Sequence, residues 1–217
     1  MNIKGAIFDM DGTLLNSMDY WAIVANDYLL SVGITPDLGA NKRFLETGMK
    51  AFYEYYKDNF GLGGSFEELN DNINNLMRNN YQNYVVVKDG AREMLDKLYN
   101  NGVKMCLATA TDRSLVVEIL KRLDIEKYFS RIFTTREVGK GKAFPLIYEV
   151  ALEYLGTPKD ETFIFEDAFY AIKTAHDNNF KVVGVYDKNA FVPKETMIAL
   201  CDYYIDENDK YNIDMLL

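Results

Sequence analysis

A short apolar run near the N-terminus is followed at once by two aspartates. Residues 3–8 read Ile-Lys-Gly-Ala-Ile-Phe, which predicts a buried strand, and Asp9 and Asp11 come where that strand gives way to a loop. Two buried carboxylates so close together repel each other unless a proton or a cation lies between them. In an open α/β sheet, ligands bind outside the carboxyl ends of the strands. The stretch is therefore a candidate metal site, although Asp, Gly and Thr after a strand are also ordinary turn and helix-capping residues.

From Val85 onwards, short apolar runs alternate with stretches of helical period. The predicted strands cover residues 103–108, 132–134, 162–165, 181–186 and 203–205. The predicted helices cover residues 89–101, 114–123, 144–155 and 168–177, with a short one after Pro193. This alternation is typical of parallel strands joined by right-handed crossovers. We therefore predict an α/β fold built on a doubly wound parallel sheet.

The segment between the first strand and this alternation has only helical period. Apolar residues recur on one face in three stretches, separated by Gly33 and by the loop at residues 61–65. Such a block does not continue a strand-helix alternation, so we predict a small all-helical domain over residues 17–85. It is inserted into a core made of residues 1–16 and 86–217. Its aromatic stripes are most simply its own core.

The composition narrows the classes of function. The formal net charge is −9 with no Lys/Arg cluster, which disfavours nucleic-acid binding. The only cysteines, Cys106 and Cys201, lack metal-binding or redox spacing, as expected in a reducing compartment. No run of 18 apolar residues and no signal peptide is recognised, so we expect a cytoplasmic protein without a membrane partner. An acidic protein that acts on an anion also needs local cations.

Polar groups lie at three predicted strand ends. Thr109 follows the second strand, and Glu166 and Asp167 follow the strand that begins at residue 162. Two loop lysines, Lys140 and Lys142, precede a predicted helix. Each of these residues, taken alone, has an ordinary explanation. Thr109 is explained as a strand-end hydroxyl, the pair Glu166-Asp167 as a helix cap, and a loop lysine as a solvated side chain. Their joint occurrence with the first motif indicates one functional site.

The first motif also resembles that of a known family. Residues 8–14, Phe-Asp-Met-Asp-Gly-Thr-Leu, are similar to the nucleophile motif of the haloacid dehalogenase (HAD) superfamily, most of whose members are phosphatases or phosphomutases. Thr109, Lys142 and the pair Glu166-Asp167 match its second, third and fourth motifs in order, so the resemblance covers essentially the whole chain. It is to the helical-cap (C1) subclass, which includes β-phosphoglucomutase and phosphoglycolate phosphatase. It implies a Rossmann-like core and a helical cap that closes over the active site.

The resemblance also implies a cofactor and a mechanism. Mg²⁺ would be held by Asp9, Asp167 and the backbone carbonyl of Asp11, with Glu166 binding it directly or through water. Asp9 would form an aspartyl-phosphate. Asp11 would protonate the leaving alcohol and then activate water.

The remaining assignments concern the phosphoryl group and the cap. The resemblance implies that Thr109 donates to a phosphoryl oxygen and that Lys142 neutralises charge on the nucleophile and the transferring group. Both are thus candidate catalytic and substrate-binding residues. Lys50 in the cap is a candidate substrate contact, with an exposed helix lysine as the ordinary alternative. Members of the superfamily that dehalogenate lack the second aspartate, so Asp11 favours phosphoryl transfer.

Two motifs depart from the common pattern of the subgroup. The third motif continues Lys142-Ala-Phe-Pro-Leu, where the lysine is usually followed by Pro, a small residue, Pro and Asp. Phe144 and Leu146 thus change the residues that support Lys142. Lys140 is a second candidate for the lysine of this motif. After the fourth motif, Tyr170 occupies a position where the family often has glycine.

We predict a Mg²⁺-dependent phosphatase that acts on a small phosphorylated metabolite as a monomer or weak oligomer. The first alternative is a phosphomutase of the β-phosphoglucomutase type. Such relatives carry a histidine early in the first cap helix and an arginine in the substrate loop of the cap. In this chain Trp21 stands at the position expected for the histidine, and the loop at residues 47–51 contains no arginine. The second alternative, a catalytically silent HAD-fold binding protein, is disfavoured because a binder has no need of both a nucleophile and its acid/base.

Overall fold

The computed structural model describes residues 2–217, with Glu46 described by its backbone alone. The chain divides into two compact units. One comprises the chain up to Asn16 together with Val86–Leu217, and the other is Ser17–Val85. The two are described separately below.

The first unit is built on a six-stranded sheet in which every neighbouring pair of strands is parallel. The strands are β1 (Gly5–Phe8), β2 (Lys104–Thr109), β3 (Ile132–Thr134), β4 (Thr162–Glu166), β5 (Lys181–Val185) and β6 (Tyr203–Ile205), in the order β3-β2-β1-β4-β5-β6. Phe8 on β1 is in register with Leu107 on one side and Phe165 on the other. This arrangement confirms the predicted doubly wound α/β fold. It also brings the carboxyl ends of β2, β1 and β4 side by side.

Helices connect these strands. They are α4 (Ala91–Asn100), α5 (Arg113–Arg122), α6 (Thr135–Val138), α7 (Leu146–Leu155), α8 (Phe169–Asp177) and α9 (Lys194–Ile198). Helix α7 begins two residues later than predicted because Pro145 disfavours helical geometry in Phe144, the residue before it. The short helix α6 was not predicted from the sequence. None of the helices in residues 2–217 combines the length and the hydrophobicity that a membrane span requires.

The core of this unit lies between the sheet and its helices. Ile7, Cys106 and Ile164 from the three central strands pack with Tyr148 on α7 and Ile172 on α8. All five are almost completely buried. Near-continuous apolar strands are expected where a parallel sheet is covered on both faces. The central strand ends are therefore held in a rigid scaffold.

The second unit consists of three helices, α1 (Met18–Ser31), α2 (Ala40–Phe60) and α3 (Phe66–Asn83). Gly48 interrupts the helical dihedral angles of α2 with a φ of 81°. Helix α3 begins with a reciprocal capping box between Ser65 and Glu68. The aromatic side chains pack with one another, for example Phe52 against Tyr56 with ring centroids 4.7 Å apart. They form the core of this unit, as the sequence indicated.

Candidate active site

Three neighbouring strand ends bring the predicted site residues of the first unit together. Asp9 directly follows β1, and its backbone N–H donates to the carbonyl of Phe165 on β4 at 2.9 Å. Glu166 is the last residue of β4, with Asp167 directly after it, and Thr109 is the last residue of β2. Because parallel strands end at the same edge, the polar groups that follow them converge.

Three of the carboxylates form a compact buried cluster. Asp9, Glu166 and Asp167 each offer an oxygen, and these oxygens all lie within 4.8 Å of one another. The exposed fractions of the three residues are 7%, 0% and 6%. Hard oxygen ligands at such separation suit a divalent cation such as Mg²⁺. The cluster is therefore able to hold a metal ion.

One buried ammonium group contacts this cluster. Lys142 Nζ is in ion-pair contact with Asp9 Oδ1 and lies 2.5 Å from Glu166 Oε1. The hydroxyl of Tyr148 donates to the same Glu166 oxygen at 3.0 Å. Lys142 is itself 4% exposed. When all three carboxylates of the cluster are ionised, the single ammonium group leaves an excess of two negative charges, which a divalent cation would balance.

The other loop lysine is placed differently. Lys140 Nζ lies 5.0 Å from the centroid of the Phe144 ring, and both side chains are exposed. Of these two lysines, Lys142 is the one at the carboxylates. The altered third motif therefore still delivers a lysine to the cluster.

The cluster changes the protonation of its own members. Burial raises the pKa of Asp9 to about 8, with Lys142 opposing the shift and Glu166 adding to it. Burial also raises the pKa of Asp167 well above its ordinary value, and the charges of Asp9 and Glu166 add to the effect. Burial lowers the pKa of Lys142, but its ion pairs with Asp9 and Glu166 more than offset this and hold the pKa above its usual range. Without a cation, Asp9 and Asp167 therefore hold their protons to a higher pH than exposed aspartates do.

The second aspartate of the first motif is contacted by a threonine that lies just beyond the end of β2. The hydroxyl of Thr111 donates to Asp11 Oδ2 at 2.7 Å. The hydroxyl oxygen of Thr109 accepts from the backbone N–H of Thr111 at 3.1 Å. Both threonines are buried. Asp11 is thus oriented by a hydroxyl from the loop that the second motif begins.

Residues 6–185 match the model of the family described as haloacid dehalogenase-like hydrolase. The chain belongs to this family. Its members are enzymes, and the matched segment contains all four motifs on which the resemblance was argued.

The hydrolase is similar to several other proteins along most of its length. A phosphorylated carbohydrates phosphatase from Thermotoga maritima is 27% identical over 177 residues, which cover 80% of each chain. A validoxylamine A 7'-phosphate phosphatase from Streptomyces hygroscopicus subsp. limoneus is 25% identical over 202 residues, covering 90% of this chain and 92% of the relative. The crystal structure of CbbY from Rhodobacter sphaeroides in complex with phosphate superposes with a TM-score of 0.80, at 18% identity and 94% coverage of both chains. That structural likeness supports the fold.

Several residues of the hydrolase that contact the site were not singled out from the sequence. Thr13 donates to Asp167 Oδ1 at 2.9 Å, and Thr111 and Tyr148 contact Asp11 and Glu166 as described above. The sequence could have indicated two of these residues, because Thr13 is part of the first motif and Thr111 lies two residues beyond Thr109 of the second. In the sequence pattern, Tyr148 is only one of the residues expected on the buried face of a helix, and nothing marks it as part of the site.

Two other polar residues lie on helices. Lys50 belongs to α2 of the helical unit and is exposed. The single histidine, His176, is near the end of α8, where its Nδ1 lies 3.3 Å from Asp177 Oδ1 on the surface.

Proposed function

We propose that this hydrolase is a Mg²⁺-dependent phosphatase that cleaves a small phosphorylated metabolite through an aspartyl-phosphate on Asp9. The observation that carries the proposal is the contact of Lys142 with Asp9 inside the buried cluster completed by Glu166 and Asp167. A carboxylate held against a cation at a strand end is poised to act as a nucleophile. The relatives named above as phosphatases of phosphorylated carbohydrates and of a phosphorylated validoxylamine support the same reaction class.

Mg²⁺ would be held by Asp9, Asp167 and the backbone carbonyl of Asp11. When bound, it would balance the excess negative charge and polarise the phosphoryl oxygens. Glu166 Oε1 already accepts from Lys142 and Tyr148. These contacts favour a role for Glu166 in orienting Lys142, with any contact to the cation made through water.

The chain's own groups then account for both steps of hydrolysis. Asp9 attacks phosphorus, the bond to the alcohol oxygen breaks, and Asp11 gives its proton to that oxygen. In the second step Asp11 takes a proton from water, whose oxygen attacks phosphorus and releases inorganic phosphate from Asp9. Thr111, which donates to Asp11, keeps this carboxyl group in place between the two steps.

Charge on the transferring group is stabilised by two further residues. Lys142 neutralises charge on Asp9 and on the phosphoryl oxygens as the new bond forms. The oxygen of Thr109 accepts from the backbone of Thr111, so its own proton is directed elsewhere and donates to a phosphoryl oxygen. One such donor is typically worth about 3 to 4 kcal/mol in the transition state.

The helical unit is proposed to act as a cap that closes over the site and excludes water. A closed site admits a small metabolite and excludes a phosphoprotein. Lys50, which is exposed on α2, is proposed to contact the substrate from this unit.

The test is Mg²⁺-dependent phosphate release from a panel of small phosphate monoesters that includes sugar phosphates. Asp9→Asn should abolish release, while the control Asp160→Asn, which changes an exposed aspartate of the same unit, should retain it. Acid quenching during turnover of a labelled substrate should trap phosphate on the wild type and not on Asp9→Asn. A folded wild type that binds Mg²⁺ and releases no phosphate from any monoester contradicts the proposal. Conversion of a sugar phosphate that depends on a sugar bisphosphate would instead identify a phosphomutase.

A further inference from the structure

The turn that follows Asp11 is held from outside by two side chains. Gly12 has a φ of 80°, a conformation that glycine adopts without strain. Its carbonyl oxygen accepts from Lys88 Nζ, and the carbonyl oxygen of Thr13 accepts from the hydroxyl of Tyr211. These donors lie 76 and 198 residues away in the sequence. The Gly12–Thr13 turn is thus fixed by tertiary contacts.

Lys88 is a nearly buried lysine with a complete set of partners. In addition to Gly12, its ammonium donates to the carbonyl of Tyr186 at 2.8 Å and lies 3.0 Å from Asp187 Oδ2. These contacts match the three N–H bonds of an ammonium group. The side chains of Lys88 and Asp187 are 14% and 4% exposed. Because Asp187 balances its charge, Lys88 serves the turn mainly as a fixed hydrogen-bond donor.

Tyr211 reaches the turn from a strained stretch of backbone. Lys210 and Tyr211 have φ values of 44° and 54°, and residues other than glycine rarely adopt such a backbone conformation. Such strain persists only where the surrounding structure imposes it. A Cβ atom at Gly90 would lie 2.3 Å from the carbonyl oxygen of Lys210, so the two segments pack at a distance that only glycine permits. The ring of Tyr211 is buried at the end of this segment.

Thr13 connects the turn to the carboxylate cluster. It is completely buried, and its hydroxyl donates to Asp167 Oδ1 at 2.9 Å. Tyr211 holds the carbonyl of this same residue. A displacement of the turn would therefore move the hydroxyl that orients Asp167.

We propose that Lys88 and Tyr211 are positioning residues that hold the Gly12–Thr13 turn so that Thr13 keeps Asp167 oriented for a divalent cation. This inference rests on the Mg²⁺ site of the proposed function. Tyr211 acts on Asp167 through Thr13, whereas Lys88 acts through the turn and also directly through its charge. Removal of groups that orient metal ligands typically weakens metal binding about 10- to 100-fold.

The test compares matched pairs of variants. Tyr211→Phe and Lys88→Met remove the donors to the turn. Tyr154→Phe is the control for the first, because its hydroxyl donates at 3.1 Å to the carbonyl of Ser130 instead. Lys104→Met is the control for the second, since Lys104 Nζ donates at 2.9 Å to the carbonyl of Leu155. The dissociation constant for Mg²⁺ is measured by calorimetry, and unfolding is measured separately in EDTA.

We expect the dissociation constant to rise about tenfold in both test variants and to stay within about twofold in the controls. In a Thr13→Val background, Tyr211→Phe should have little further effect on Mg²⁺ affinity, because both changes act through one hydrogen bond. Loss of unfolding stability with unchanged Mg²⁺ affinity in Tyr211→Phe would overturn the inference and leave the phosphatase proposal intact. If Lys88→Met does not fold, the Tyr211 and Thr13 variants decide the matter. A wild type that does not bind Mg²⁺ would overturn the proposed function and this inference together.

Discussion

Lys142 Nζ lies 2.5 Å from Oε1 of Glu166, and the same ammonium group also contacts Asp9. One cation is therefore shared between the end of β4 and the first residue after β1. Asp167 adds a third carboxylate to this buried group. The cluster has more negative than positive charge, and this imbalance leads to the first two predictions.

Glu166→Gln should not reduce the stability of the metal-free protein. The substitution relieves repulsion among the buried carboxylates, while the amide oxygen can still accept from Lys142 and Tyr148. We expect an unchanged or higher free energy of unfolding in EDTA, together with weaker Mg²⁺ binding. Urea unfolding in EDTA and calorimetric titration with Mg²⁺ measure the two effects. A loss of about 3 kcal/mol in EDTA, as when a favourable buried ion pair is broken, would contradict this account.

Lys142→Met should have the opposite effect on stability. It leaves Asp9 and Glu166 buried without their cation, and breaking a buried pair in this way typically costs about 3 to 5 kcal/mol. Mg²⁺ should restore part of the loss, and phosphatase activity should fall at least about 100-fold. The control is Lys140→Met, which changes the exposed neighbouring lysine and should alter stability by less than about 0.5 kcal/mol. Equal effects of the two substitutions on activity would argue against Lys142 as the catalytic lysine.

The pH dependence follows from the raised pKa of Asp9. Burial moves this pKa from 3.8 to about 8, so between these values the native metal-free protein holds a proton that the unfolded chain has lost. The free energy of unfolding in EDTA should therefore fall as the pH rises through this range. Mg²⁺ binding needs the carboxylate, so its affinity should rise with pH up to about pH 8, by at most about tenfold per unit for each proton displaced. Calorimetry at pH 6, 7, 8 and 9 measures the trend, and an affinity that does not change with pH would contradict it.

Thr111→Val should impair the acid/base step proposed for Asp11. The substitution keeps the shape of the side chain and removes the hydroxyl that donates to Asp11 at 2.7 Å. A hydrogen bond to a charged group is worth about 1.5 to 3 kcal/mol, so kcat should fall about 10- to 100-fold with little change in KM. Thr111→Ser retains the hydroxyl and should recover most of the activity. Steady-state kinetics on the preferred monoester distinguishes this result from a general loss of folded protein.

Gly90→Ala should destabilise the protein more than Gly102→Ala. Both glycines have a positive φ, 85° and 73°, so each substitution incurs a backbone cost of about 1 to 2 kcal/mol. A Cβ at Gly102 meets no atom within 4 Å, whereas one at Gly90 would lie 2.3 Å from the carbonyl oxygen of Lys210. The difference between the two unfolding free energies therefore reports the close packing of the C-terminal segment. Equal losses of unfolding free energy in the two variants would mean that the C-terminal segment moves away from residue 90 with little loss of stability.

The fold was predictable because its signals are local. Buried parallel strands appear in the sequence as apolar runs, and helices appear as apolar residues with a 3.6-residue period. The two patterns alternate along the first unit. The strand at residues 132–134 was predicted with its observed limits, and the start of α7 was displaced by only two residues. The roles assigned to the site residues remain predictions.

The sequence by itself determined which strands end in polar residues, and therefore which carboxylates could meet: Asp9, Glu166 and Asp167. Only the tertiary structure decided that Lys142, and not Lys140, contacts them. The same holds for Tyr211, which reaches Thr13 across 198 residues of sequence. The physical reason is that periodicity and strand ends report burial and local conformation, whereas the partner of a buried donor depends on which distant segments pack together.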